Sequence, residues 1–211
     1  IRARSARSIA ALFAVAALLA TALIAAPATR ADAITETVNT ASEFTSAILA
    51  ANVNIDSDAS HTINIGANFT WDQAAVEYTG DEPLTINGGG HVITLGSSAA
   101  GFLTSSADER DSITVENITF EGGVTPFVLD ISAVEILISE VEVTNLTTQQ
   151  AAISARSHYN TTVEYSTFEG NSNVVGDGGA LNVVSADGYI YLTDSSFIGN
   201  FAAGNGGAVR A

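Results

Sequence analysis

The chain has 211 residues, in which 23 acidic residues stand against 7 basic ones and give a formal net charge of −16. A chain this acidic repels nucleic acids and anionic membrane surfaces, so neither is an expected partner. It has no cysteine, so a disulfide framework is excluded, and burial and hydrogen bonding must hold the fold together. The acidic residues form no block, which favours a solvated surface over a salt-adapted or cation-binding one. Because the chain starts at Ile1 and has no methionine, we interpret it as a fragment that ends inside a repeat.

Residues 1–33 have the pattern of a helical, cleavable secretory signal peptide. Three arginines within the first seven residues precede an uncharged run over residues 9–26, and Ala31 and Ala33 supply the small residues of a cleavage site. The alternative is a retained membrane anchor, since about 18 apolar residues just span a bilayer. Cleavage would leave 3 arginines against 22 acidic residues, a net charge of −19. No second apolar stretch follows, so we expect no membrane span after the leader and a location outside the cell or on its surface.

Residues 34–83 are predicted to form an N-terminal cap and the first strands. Within them, residues 34–52 have the pattern of one short helix with Ser42 as its N-cap. The apolar residues of this helix are Phe44, Ile48 and Leu49. A cap is needed because an uncovered sheet edge exposes unpaired backbone groups. Beyond the helix the sequence alternates like strands, as in residues 61–65, and the strands are separated by Gly and Asn, which indicates an all-β fold.

Residues 84–211 contain an internal repeat. The segments that align are Ile113–Phe120, Ile136–Val143, Thr161–Phe168 and Ile190–Phe197. In this register their last residues are equivalent, and the steps between those residues are 23, 25 and 29 positions. The second set of equivalent residues is Val115, Ile138, Val163 and Leu192.

The apolar spacing inside each unit slips once. Ile113 and Val115 are two positions apart, but Val115 and Ile118 are three apart. Since strand side chains alternate with a period of two, an odd step means that the chain turns a corner with its apolar side still inward. Two strands that meet at a bend, repeated every 23 to 29 residues, predict a parallel β-helix with about five coils over residues 84–211. The handedness rule for parallel crossovers makes it right-handed.

The last two units share two further motifs. They are Phe168–Asn171 followed by Gly178–Leu181, and Phe197–Asn200 followed by Gly206–Val209. In these motifs residues 163–211 resemble the repeats of the chlamydial-type polymorphic outer membrane proteins, F-x-x-N and G-G-A-[ILV]. The resemblance implies a right-handed β-helix in an exported surface protein, and several members of that family are adhesins. Earlier units depart from the pattern, since residues 120–123 lack the asparagine.

The repeated residues are interpreted as structural. Asn171 and Asn200 fit turn residues, whose amides can also bond one another across coils, although ligand-binding amides are the alternative. Gly178–Gly179 and Gly206–Gly207 fit tight turns rather than a phosphate cradle, because no helix follows and the chain has no lysine. The small residues expected where coils approach each other are Ala180 and Ala208.

No catalytic, cofactor-binding or metal-binding residue is predicted. Glu116 and Glu164 are in register but two coils apart, about 9–10 Å, which is at or beyond the limit for a glycosidase pair. Arg156 has no aspartate cluster in register. Asp56 and Asp58 lack the other ligands of a calcium loop. The histidines without metal-ligand spacing are His61, His91 and His158.

Tyr189 and Tyr191 alternate with the aliphatic residues of the last unit. If the aliphatic side chains point inward, the tyrosines form an exposed aromatic pair, which is a candidate contact for carbohydrate or protein. The alternative is a pair that packs beneath a neighbouring loop.

These features predict an exported, secreted or cell-surface β-helix protein that acts as a non-catalytic adhesin. Its expected partner is a host-cell protein, a matrix protein or an extracellular carbohydrate, and no cofactor is expected. The second hypothesis is a secreted polysaccharide lyase or glycosidase with its site in coils beyond Ala211. The third is a structural stalk that holds another domain away from the surface.

Overall fold

The computed structural model describes residues 33–53, 60–105 and 112–211. Over these residues the chain forms a parallel β-solenoid of about six turns with one helix. Residues 1–32 of the predicted signal peptide, the two aspartates at 56 and 58, and Arg110 lie outside the described residues. The elements are β1 (Thr35–Val38), α1 (Ala41–Val53), β2 (His61–Ile65), β3 (Phe69–Trp71), β4 (Ala74–Tyr78), β5 (Leu84–Leu95), β6 (Ala100–Ser105), β7 (Ser112–Glu121), β8 (Leu129–Ala133), β9 (Glu135–Thr144), β10 (Thr147–Thr148), β11 (Ile153–Ser157), β12 (Thr161–Glu164), β13 (Thr167–Glu169), β14 (Ser172–Asn173), β15 (Leu181–Ser185), β16 (Ile190–Thr193), β17 (Ser196–Ile198), β18 (Phe201–Ala202) and β19 (Val209–Arg210).

The strands of successive coils lie side by side in three parallel sheets. The long sheet has the order β1-β2-β5-β7-β9-β12-β16, and β3, β13 and β17 continue it beyond the corner that bends each coil. The six-stranded sheet has the order β4-β6-β8-β11-β15-β19, and the three-stranded sheet has the order β10-β14-β18. Each strand pairs with its equivalents in the coils before and after it, which is the pattern of a solenoid.

Strand pairing confirms the predicted equivalences. Phe168 pairs with Val143 on one side and with Phe197 on the other. Val163 pairs with Ile138 and Leu192 in the same way. The equivalences of the first two aligned segments are also correct, since β7 and β9 pair throughout in that register. The alignment of the sequence with itself therefore gave the stacking of the coils.

A residue in the left-handed region of backbone space forms the corner at each spacing slip. The four corner residues and their φ angles are Asn117 (51°), Glu140 (54°), Tyr165 (50°) and Asp194 (48°). This conformation costs a residue other than glycine about 1–2 kcal/mol. It rotates the chain so that the apolar side chains before and after the corner, such as Val115 and Ile118, are both buried.

The N-terminal segment differs from the predicted helix over residues 34–52. Its first part is strand β1, which pairs with β2, and helix α1 follows it. Thr40 rather than Ser42 is the N-cap, because its Oγ1 accepts a hydrogen bond from the backbone N of Glu43 at 3.2 Å. The Glu43 carboxylate in turn accepts from the backbone N of Asn39 at 2.7 Å. These reciprocal bonds resemble a capping box, which fixes the start of the helix.

Helix α1 covers the first coils with one face. Its buried residues are Phe44, Ala47, Ile48 and Ala51. The prediction that Leu49 belongs to this face is wrong, since Leu49 is 55% exposed. The helical turn places Leu49 about 140° around the axis from Phe44, which points its side chain away from the solenoid.

Strands of the solenoid begin within residues 34–83, the segment predicted to form the cap and the first strands. Strands β2, β3 and β4 already contribute to the long and six-stranded sheets before residue 84. The described part of the chain forms a solenoid of about six turns, which agrees with the predicted cap and about five coils. The repeat alignment began at residue 113, so it did not include these first strands.

An irregular aromatic cluster fills the core beneath the helix. The Phe44 and Phe102 rings stack with centroids 4.5 Å apart, and Trp71 meets Phe102 edge-on at 4.9 Å. Phe120 extends the cluster by an edge contact with Phe102 at 5.1 Å. The Trp71 indole N–H donates to the Gly101 carbonyl at 2.7 Å, so its polar atom is satisfied inside the core.

Candidate binding grooves

The repeated asparagines join neighbouring coils. Asn171 is fully buried, and its Nδ2 donates to the Val143 carbonyl at 2.8 Å and to Asn200 Oδ1 at 3.0 Å. Its Oδ1 accepts from the Leu146 backbone N at 3.2 Å. Asn200 repeats this arrangement, since its Oδ1 accepts from Asn171 N and its Nδ2 donates to the Phe168 carbonyl. Both amides are engaged by the preceding coil.

The repeated glycines lie where two coils approach closely. Gly178 and Gly206 have φ angles of 69° and 65°, in the region that favours glycine. A Cβ at Gly179 would lie 2.1 Å from the Gly207 carbonyl oxygen, so no side chain fits there. These backbone atoms leave no space for a phosphate group at Gly179.

Two other repeated pairs stack in the same coils. The Phe168 and Phe197 rings are parallel within 2°, with centroids 4.9 Å apart. The Ala180 backbone N donates to the Ala208 carbonyl at 2.9 Å, and Ala180 is fully buried. In these two coils, equivalent residues of the same type therefore contact each other.

The two tyrosines on and before strand β16 are exposed. Tyr189 is 69% exposed, Tyr191 is 46% exposed, and their ring centroids are 6.0 Å apart. Ile190, between them, packs against the hydrophobic core. In the part of the chain that the structure describes, the pair lies on the outer face of the long sheet.

Two columns of outward side chains lead to the tyrosines across four strands. Pairing places Thr114 beside Leu137, Leu137 beside Thr162, and Thr162 beside Tyr191. Hydrogen bonds link the other column: Asn160 Nδ2 donates to Glu135 Oε1 at 3.4 Å, and Asn160 Oδ1 accepts from the Tyr189 backbone N at 3.1 Å. The first column is Thr114, Leu137, Thr162 and Tyr191, and the second is Ser112, Glu135, Asn160 and Tyr189.

A shallow cavity of about 340 Å³ lies between these columns, and we call it the tyrosine groove. Its lining residues are Ser112, Thr114, Glu135, Ile136, Leu137, Asn160, Thr162 and Tyr191. Hydroxyls, one amide and one carboxylate provide its polar atoms, and Tyr191 and Leu137 provide apolar surface. Such a mixture of a few directed polar groups and an aromatic wall is typical of a small-ligand site.

The long sheet carries acidic side chains on its outer face. They are Glu116, Glu121, Glu135, Glu140, Glu142, Glu164 and Glu169. Within the described ranges both arginines, Arg156 and Arg210, belong to the six-stranded sheet instead. Among the described residues, none of those that line the tyrosine groove is basic.

A second cavity of about 170 Å³, the arginine groove, lies on the six-stranded sheet. Its lining residues are Gln149, Gln150, Ala151, Ser154, Arg156, Asn173, Gly176, Asp177, Asn182 and Arg210. Arg156 pairs with Asp130 at 2.5 Å, and Arg210 pairs with Asp177 at 3.5 Å. Each guanidinium therefore faces a carboxylate, so the charges of the two arginines are compensated within the protein.

The two carboxylates in register on the long sheet, Glu116 and Glu164, lie on non-adjacent strands. Glu116 and Glu164 both neighbour Ser139, so a full strand separates them as predicted. Ser139 Oγ donates to Glu164 Oε1 at 3.2 Å. Within residues 33–53, 60–105 and 112–211, no three His, Cys, Asp or Glu side chains lie close enough to hold a metal ion.

One histidine is buried. His61 begins strand β2, and its Nδ1 accepts a hydrogen bond from the Ile34 backbone N at 3.2 Å. Burial lowers the pKa of His61. Its Nε2 is buried without a hydrogen-bond partner, so the side chain belongs to the base of the cap rather than to a groove.

The comparison with protein families decides the class of the chain. Residues 35–174 match the family model described as "Putative pectate lyase-like adhesive domain". The chain belongs to this family. A search of the curated proteins and a search of the solved structures each found no match. The match to the pectate lyase-like adhesive domain runs from β1 to just beyond β14, so it includes most of the tyrosine groove and ends before Tyr191.

The predicted surface contact at Tyr189 and Tyr191 overlaps the groove at one residue, because Tyr191 lines it and Tyr189 does not. The contact role of the pair stays a prediction, and the sequence did not point to Glu135 or Asn160 as contact residues. The alignment did contain a signal for the first column. Thr162 directly precedes Val163 and Tyr191 directly precedes Leu192, and the alignment made Val163 and Leu192 equivalent, so Thr162 and Tyr191 had to be neighbours. In the described segments no helix is long and apolar enough to cross a membrane.

Proposed function

We propose that this chain is an exported adhesin-like module that binds an extracellular partner without altering it chemically. The observation that carries this proposal is an exposed, polar and aromatic groove on a sheet face, in a chain of a pectate lyase-like adhesive family. The F-x-x-N and G-G-A copies support it, because they are similar to the repeats of exported surface proteins. The candidate signal peptide over residues 1–33 supports delivery to the cell surface or the medium.

A polysaccharide-active enzyme is the second candidate. The pectate lyase-like character of the family favours it, as does Arg156 beside a cavity. A lyase needs a basic group that is free to take a proton from the sugar ring. Arg156 is instead held by Asp130, so the described coils support binding better than catalysis.

A single experiment separates the two functions. The full chain is immobilised on beads and offered extracellular-matrix proteins, neutral polysaccharides and polygalacturonate. We expect retention of at least one class and no shortening of any polysaccharide. Release of unsaturated sugar products that stops in an Arg156→Ala variant would establish the enzyme and overturn the adhesin.

Export is tested separately. The full reading frame is expressed with a C-terminal tag in a host with a secretory pathway, and the N-terminus of the secreted product is sequenced. We expect cleavage after Ala33. Retention of the tagged chain in the membrane with an intact leader would instead establish the anchor.

A further inference from the structure

We propose that the tyrosine groove binds a neutral hexose polysaccharide and rejects polyuronates such as pectate. This inference rests on the proposed binding function and names the ligand class for it. It departs from what a pectate lyase-like domain suggests, because the chemistry of the groove does not suit an anionic sugar.

The shape and lining of the groove suit a sugar chain. Its volume of about 340 Å³ is at the small end of ligand pockets. It crosses four strands, and at about 4.8 Å per strand its length of about 14 Å exceeds one sugar ring. The Tyr191 ring offers an apolar face to the C–H side of a pyranose, while its hydroxyl stays in water.

The polar atoms of the groove match sugar hydroxyls. The Glu135 carboxylate can only accept hydrogen bonds, and it lies next to Asn160, whose amide both donates and accepts. Neighbouring hydroxyls on a hexose can donate to the carboxylate and accept from the amide. Thr114 and Thr162 add hydroxyls that play either part.

Charge explains the rejection of uronates. A uronate carboxylate is bound most strongly by a cationic side chain, but the described residues of the groove include Glu135 and no basic residue. Glu116 and Glu164 lie on the same strands and add negative charge nearby. Like charges brought together cost binding free energy and so discriminate against an anionic ligand.

A protein partner fits this face less well. Protein interfaces have an apolar core that is depleted of charged residues, and each partner buries about 800 Å². The large apolar side chains among the described lining residues are Tyr191, Leu137 and the almost fully buried Ile136, and the other lining groups are hydroxyls, an amide and a carboxylate. A narrow polar strip of this kind favours a ligand rich in hydroxyl groups.

The test measures binding of the full chain to soluble β-glucan, galactan, mannan and polygalacturonate by retardation in polysaccharide-containing native gels. We expect retardation by at least one neutral polysaccharide and none by polygalacturonate. Tyr191→Ala should weaken the neutral interaction about tenfold, since the variant loses the aromatic face that stacks on the sugar. Glu135→Gln should reduce the preference for neutral over acidic polysaccharide, because the amide keeps the shape and loses the charge.

Tyr165→Ala is the matched control, since Tyr165 is also exposed, at 61%, but lies outside the groove. Thermal unfolding of each variant shows that it is folded. Equal retardation by polygalacturonate, an unchanged affinity of Tyr191→Ala, or no binding to any neutral polysaccharide would overturn the inference. If matrix proteins bind in the bead experiment while every polysaccharide fails, the inference falls and the proposed adhesin function stands.

Discussion

The core of the first coils and the core of the last coils are filled by side chains in different ways. Under helix α1, the core is filled by unlike aromatic rings at varied angles, as in the edge contacts that Phe102 makes with Trp71 and Phe120. In β12–β19 several positions are instead filled by like residues in register, such as the parallel Phe168 and Phe197 rings. The long and six-stranded sheets run through both regions, whereas helix α1 belongs to the first and the β10-β14-β18 sheet to the later coils.

This difference predicts two kinds of sensitivity to mutation. The cluster under the helix depends on shape complementarity among several residues, so loss of one ring leaves a cavity with many neighbours. The stacks of like residues in β12–β19, which we call the ladders, depend on contacts between neighbouring coils. Loss of one member therefore affects the coils directly before and after it. Trp71 is the single tryptophan of the chain and reports on the first region by its fluorescence.

Phe168→Asp should have the largest effect. Phe168 is fully buried, and a charged group there loses its hydration without a partner, so we expect destabilisation by several kcal/mol. Hydrogen exchange should show loss of protection in β12–β19 first. Phe201→Asp is the matched control, because Phe201 is 57% exposed. Equal unfolding temperatures of Phe168→Asp and wild type would refute the register.

Phe102→Ala should have the next largest effect, and in the other region. Phe102 contacts three aromatic rings, and removal of a buried phenylalanine ring costs about 3–5 kcal/mol. The unfolding midpoint followed by Trp71 fluorescence should fall strongly. If Phe197→Ala, at a part-buried position, lowered stability as much, the distinction between cluster and ladder would be wrong.

Asn171→Ala should cost about 1–3 kcal/mol, because it leaves the Val143 carbonyl and the Leu146 backbone N without their partner. Asn200→Ala should cost less, since Asn200 is only partly buried. Denaturant unfolding of both variants measures the difference. A reversed order would show that the ladder does not stabilise through burial.

His61 should make the first region sensitive to acid. Its pKa is lowered from the ordinary value of 6.5, so the folded state favours the neutral ring. The stability it contributes is complete above pH 6.5 and is lost as the pH falls through the lowered pKa. Trp71 fluorescence should show a steeper loss of stability below pH 6.5 in wild type than in His61→Gln. Parallel pH profiles would exclude this role.

Tyr165→Gly should have the smallest effect and the opposite sign. Tyr165 has a φ of 50°, which glycine adopts without strain, so we expect stabilisation of up to about 1 kcal/mol. The greater freedom of glycine in the unfolded chain offsets part of this gain. A lower unfolding temperature would show that the exposed tyrosine ring makes contacts that outweigh the strain.

The sequence predicted the solenoid because burial imposes a regular pattern on it. Inward residues such as Val163 and Phe168 must be apolar in every coil, so their spacing carries the register. Outward residues carry no such constraint, and for this reason Glu135 and Asn160 were missed as contact residues, although Asn160 lies between Glu135 and Tyr189. The Arg156–Asp130 pair was missed because it joins side chains that are diagonal, not directly opposite, on adjacent strands.

The start of the helix was mispredicted for a related reason. Residues 35–38 have few apolar side chains, and they form a strand because β2 offers them backbone partners. That partner is distant in sequence, so local patterns do not reveal it. The wrong choice of N-cap followed from the same error. Because residues 35–38 form a strand, the helix begins at Ala41, and Thr40 directly before it is the N-cap.

The asparagine ladder has a direction. The side chain of Asn171 belongs to one coil, but the groups it satisfies, at Val143 and Leu146, belong to the coil before. Asn200 serves the coil of Asn171 in the same way. Each of these coils thus supplies hydrogen-bond partners that the preceding coil lacks. In a chain that folds from its N-terminus, the unpaired backbone groups of the last folded coil would therefore determine where the next coil docks.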